Sequence, residues 1–144
     1  MLVRWWGVKG SIERYSSKWE LMPELFSRLP SPPVLTPGAD NGSMHFIRDK
    51  DRYDAFIHTS LQQILDDASI SAVVITGTLT NMCCETTART AFNRDFYVYF
   101  PEDANATDTA QHHAATIENL RLAFAQITTA EKVLQAVESL EKKA

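Results

Sequence analysis

The spacing of apolar and polar positions changes character near residue 44. Before that point Trp5, Trp6 and Trp19 stand among polar residues, and Pro30, Pro32, Pro33 and Pro37 exclude any long element. Residues 1–43 are therefore read as irregular, with room for one short helix from Glu20 to Arg28. From Met44 onward the pattern becomes regular. Met44–Ile47 reads as a short strand, followed by the charged turn Arg48-Asp49-Lys50-Asp51-Arg52. A helix is predicted from about Ala55 to Asp67, with Phe56, Ile57, Leu61, Ile64 and Leu65 on one face. Ala72–Thr76 is apolar without alternation until its end, as for a strand covered on both faces. The next helix should span about Met82–Asn93, capped by Thr80 or Asn81. Phe96–Phe100 reads as a strand ended by Pro101. After a loop through Asp103, a helix is predicted from roughly Thr109 to Ala123. A last strand near Ala125–Ile127 leads into Thr128-Thr129-Ala130-Glu131, a capping-box pattern. The helix it opens carries Val133, Leu134, Val137 and Leu140. Strands alternating with helices predict a single α/β domain over residues 1–144, its core at 44–144: a parallel sheet flanked by helices.

Composition narrows the function classes. The 144 residues are 44% hydrophobic and 22% charged, ordinary for a soluble globular domain. A net charge of −4, with 14 scattered Lys and Arg, argues against nucleic-acid binding. No run approaches the ~18 apolar residues of a membrane span, and the start lacks the long apolar region of a secretory signal. The two cysteines, Cys83 and Cys84, are adjacent, too close for a relaxed disulfide. Unbridged thiols point to a reducing compartment, so the expected location is cytoplasmic.

Gly77-Thr78-Leu79-Thr80-Asn81-Met82-Cys83-Cys84 follows the apolar run Ala72–Thr76 directly. A strand, a polar turn and then a helix would set a thiol on the first helical turn, at the carboxyl edge of a buried strand. Backbone N–H groups and the helix dipole at such a place stabilise a thiolate. Cys83 is the candidate nucleophile. Cys84 reads as a packed core residue, Arg89 as the partner of an acidic neighbour, Asp54 as a cap and Asp103 as a loop-former. His112 and His113 lack a ligand spacing, so no metal is expected.

The segment Lys50-Asp51-Arg52-Tyr53-Asp54-Ala55-Phe56 resembles the K-x-R-Y-S-A-F segment of isochorismatase-like cysteine hydrolases. Val74 through Phe92 is similar to that family's V-x-x-G-x-x-T-[DN]-x-C-V-x-x-T-x-R-x-A-F. Asp103-Ala104 and His113–Leu120 look like its D-A and H-x-x-x-L-x-x-L stretches, and Trp19–Leu25 fits the segment before the lysine strand. The resemblance implies a Rossmann-like three-layer α/β/α fold. It also implies a small-molecule amide or related C–N substrate, attacked by a thiolate to give a thioester, with no cofactor. It assigns the nucleophile to Cys83, the cationic partner to Lys50 and the oxyanion donors to the amides of Leu79 and Cys83. It puts a cis peptide at Thr78–Leu79 and makes Tyr53 and Thr80 candidate substrate contacts. The enol-ether chemistry of isochorismatase itself is an alternative.

One departure is serious. The family's aspartate lies in a hydrophobic-D-x-Q pattern on its first strand, and nothing before Lys50 matches it. Its first two strands, and the metal-binding histidines that nicotinamidase-like members carry between them, have no counterpart in this reading. In the family sheet order 3-2-1-4-5-6 their loss would leave two empty positions beside the lysine strand. Truncation, completion by a separate chain, or a rearranged sheet would each account for it; truncation relative to the family is the expectation. The chain alone should then be poorly active, and a silent domain serving as a subunit or binding partner is the second reading. The tryptophans would cover an active-site mouth or form a subunit contact; exposed aromatics favour the contact, hence a homo-oligomer.

Overall fold

In a computed structural model of the chain, residues 2–5 and 46–142 are described, with side chains from Lys50 onward except that of Glu141. They fall into two units, Met1–Ala68 and Ser69–Ala144. The predicted helix at Glu20–Arg28, the proline segment, Trp6 and Trp19 lie outside the described residues.

The first unit holds two parallel strands, β1 (Leu2–Trp5) and β2 (Phe46–Lys50), with Leu2 opposite Phe46 and Trp5 opposite Lys50. Two expectations are corrected here. Leu2–Trp5 is a strand paired with the lysine strand, not part of an irregular segment. The lysine strand itself runs on through Lys50 instead of turning at Arg48.

The helix expected from Ala55 begins only at Leu61, as α1 (Leu61–Asp67). Local side-chain bonds take the backbone groups that a longer helix would use. Asp54 Oδ1 accepts from Phe56 N at 2.8 Å, and Thr59 Oγ1 donates to Ala55 O and accepts from Leu61 N. His58 sits at φ 57°, outside the helical region. Asp54 thus closes a turn rather than capping a helix. Phe56 and Leu61 are buried nonetheless.

The second unit is built on parallel strands in the order β3 (Ala72–Val74), β5 (Tyr97–Pro101), β7 (Gln126–Thr128). A second parallel pair, β4 (Gly77–Thr78) and β6 (Asn105–Ala106), sets Gly77 opposite Asn105. The helices are α2 (Glu85–Asn93), α3 (Ala110–Ala123) and α4 (Ala130–Glu141). Ala88 and Ala91, both fully buried, leave no bulk between α2 and the sheet, while α3 buries Thr116, Ile117 and Leu120. Val98 and Phe100 fill the space beneath them.

Strand β3 is shorter and more open than expected. It ends at Val74, which is 47% exposed, because β3 is an edge of the described three-stranded sheet. Thr109 caps α3 by accepting from His112 N. Thr129, not Thr128, caps α4 and accepts from Lys132 N, so Glu131 is not placed to close the predicted box. Asp103 Oδ1 accepts from Ala130 N at 2.8 Å, tying the loop after β5 to the start of α4.

Candidate active site

The cysteine turn is assembled at the carboxyl ends of β3 and β5. After β3, Ile75 N donates to Tyr99 O, extending the pairing by one bond. Gly77 adopts φ 126°, a conformation that L side chains rarely enter, although a Cβ there would meet nothing within 4 Å. Backbone shape, not space, requires glycine. The next peptide, Thr78–Leu79, is cis.

Leu79 is extended (φ −91°, ψ 142°) and precedes a single π-helical turn, Thr80–Cys84, that runs straight into α2. Its carbonyl accepts from Met82 N at 3.1 Å and from Cys84 N at 3.3 Å. The expected capping by Thr80 or Asn81 is corrected. The residue before the turn is Leu79, which has no side chain to cap with, and Thr80 and Asn81 lie inside the turn. Their side chains are held from elsewhere. Thr80 Oγ1 and His113 Nδ1 share a hydrogen bond of 3.0 Å, and Thr107 Oγ1 donates to Asn81 Oδ1 at 2.6 Å.

Cys83 is half-buried on this turn, between the exposed Met82 and the buried Cys84, and neither cysteine is in a disulfide. Thr80 is fully buried, so its hydroxyl serves the turn. Behind the turn, Glu85 Oε1 accepts from Arg89 Nη2 at 2.7 Å, and its Oε2 accepts from Thr116 Oγ1 at 2.7 Å. Arg89 also lies 4.2 Å over the Phe124 ring, so its charge is used within the fold. Asn105 braces the strand ends from below, Nδ2 donating to Ile75 O at 3.1 Å and to Pro101 O at 2.7 Å.

In the first unit Lys50 closes β2 and is only 4% exposed. Its Nζ donates to Arg52 O at 2.6 Å, so a buried ammonium is folded over its own loop rather than solvated on a turn. Arg52 turns outward to Asp51, and Tyr53 is largely exposed. Among the described residues no cluster of three metal-ligating side chains occurs. His112 pairs with Asp108 at 2.9 Å.

A family model described as the Isochorismatase domain matches residues 8–132. The chain belongs to the isochorismatase family. It is 40% identical over 89 residues to Nicotinamidase 3 of Arabidopsis thaliana, covering 62% of this chain and 45% of that protein. An isochorismatase-like hydrolase from Alkaliphilus metalliredigens superposes with a TM-score of 0.74 at 25% identity, over 93% of this chain and 67% of that one. A pyrazinamidase/nicotinamidase from Streptococcus mutans superposes with a TM-score of 0.56 at 30% identity, over 58% of this chain and 47% of that one. The chain spans about half the length of curated relatives such as the Arabidopsis protein. Parallel sheets flanked by helices are the α/β fold of isochorismatase-like hydrolases.

Residue-by-residue reading of the sequence missed the support around the cysteine. The bond between His113 and Thr80 joins positions 33 apart, and only the family-like H-x-x-x-L spacing gave His113 a place in the fold. Asn105 carried no signal.

Proposed function

We propose that the protein is a cysteine hydrolase of a small amide or related C–N bond. The Cys83 thiolate attacks the carbonyl carbon, the C–N bond breaks, and the amine leaves with a proton. Water then hydrolyses the thioester, releasing the acid and restoring the thiol. Backbone amides of Leu79 and Cys83 would stabilise the oxyanion, and the cationic role falls to Lys50 only through the resemblance of the Lys50–Phe56 segment to the family. The observation that carries this reading is the half-buried thiol on a π turn leading into a helix, at the carboxyl ends of parallel strands. The support for Lys50 is its place in the K-x-R-Y-x-A-F segment. Similarity to a nicotinamidase makes nicotinamide the first substrate to try.

Because no residue matches the family's aspartate pattern, turnover is expected to be slow. The test is ammonia release from nicotinamide and a panel of simple carboxamides. Cys83→Ala should abolish it, Lys50→Ala should lower it by about 10²-fold, and Cys84→Ala should leave most of it. Hydrolysis that survives Cys83→Ala would overturn the proposal, as would a panel with neither turnover nor an acyl adduct on Cys83.

A further inference from the structure

Helix caps normally satisfy the first N–H groups of a helix and fix the angle at which it starts. The turn that carries Cys83 has no such cap, since Leu79 precedes it. The segment is instead gripped along one side by α3 and the residues leading into it. Thr107 holds Asn81, His113 holds Thr80, and Thr116 holds Glu85. His113 and Thr116 are three residues apart and so share a helix face, while Thr80 and Glu85 are the first residues of the π turn and of α2. Thr80 and Thr116 are buried, which shields both hydroxyl bonds from competing water. Only the His113 bond reaches the residue next to Leu79, where the chain leaves the extended conformation.

From this geometry we infer that His113 is a positioning residue for the Cys83 nucleophile, acting through the Thr80 hydroxyl to fix the start of the turn. The inference rests on the proposed role of Cys83. His113 is not assigned contact with the substrate. Its imidazole is half-buried, and the bond to Thr80 is made by Nδ1, the ring nitrogen nearer the backbone. That choice of atom makes the idea testable by shape. An asparagine amide places a polar atom where Nδ1 was and can donate or accept there. A glutamine places it near Nε2, where Thr80 does not lie.

The experiment measures alkylation of Cys83 by iodoacetamide, read by peptide mapping, in the full chain and in His113→Asn, His113→Gln, Thr80→Ser and Thr80→Val. Thermal melts confirm that each variant is folded. His113→Gln and Thr80→Val should slow labelling of Cys83 about tenfold, with the double variant no slower than either single one. His113→Asn and Thr80→Ser should stay within about twofold of the parent. Should His113→Gln fail to fold, the Ser and Val pair at residue 80 still carries the comparison. Equal losses in Asn and Gln, or additive losses in the double variant, would overturn the inference. A parent Cys83 no faster than an unstructured thiol, with the Asn and Gln contrast intact, would sink the nucleophile and keep the positioning role.

Discussion

A single side chain can be legible by type and illegible by environment, and Lys50 shows the difference. Its run of charged neighbours predicts a solvated turn, yet it ends a strand, buried, with Nζ on the carbonyl of Arg52. Only the longer motif identified it, because burial is a property of neighbours that local polarity does not encode. Asp108 belongs to this scale too. Its carboxyl is held below the usual carboxylate range, chiefly by the hydrogen bond with His112, with smaller help from Thr107 and the backbone of Thr109. A folded value below the unfolded one stabilises the protein above the ordinary carboxylate range, and that contribution is lost as pH falls through the lowered value. An NMR titration of the Asp108 carboxyl should show the lowered midpoint, and His112→Ala should move it back up. An unchanged midpoint in that variant would contradict the assigned cause.

Elements whose signals are local were read well. Thr109 caps the helix Ala110–Ala123, and Tyr97–Pro101 is a strand within a residue of its predicted span. The misplaced elements are those decided by competition. Thr59, Asp54 and the left-handed His58 defer the helix start to Leu61, and Leu79 begins the cysteine turn where two better capping residues follow it. Asn105 links two strand ends whose carbonyls would otherwise end without a side-chain donor. Asn105→Ala should therefore destabilise the protein by about 1–3 kcal/mol. Among the described residues the buried Oδ1 of Asn105 has no partner, so its removal offsets part of that cost. A urea midpoint equal to the parent's would refute the bracing role.

At the scale of the molecule, alternation of strand and helix predicted the fold class because it depends on sums over many residues. The order of the strands and the burial of each depend on contacts distant in sequence. That is why β1 was missed and β3 was expected to be more covered than it is. The core of the second unit is concentrated in a few side chains, with Phe100 and Leu120 completely buried. Phe100→Ala should cost about 3–5 kcal/mol, read as a lowered unfolding midpoint of the second unit, and a loss below 1 kcal/mol would contradict its place in that core. Among the described residues no helix is long and apolar enough to cross a membrane.

The most direct test compares one thiol with itself. Iodoacetamide labelling of Cys83 near neutral pH, followed in the folded chain and again in the urea-unfolded chain, isolates what the fold does to the sulfur. Faster labelling is expected in the folded state, with Cys84 protected there. Labelling of folded Cys83 that is equal to or slower than in the unfolded chain would contradict its role as the reactive centre.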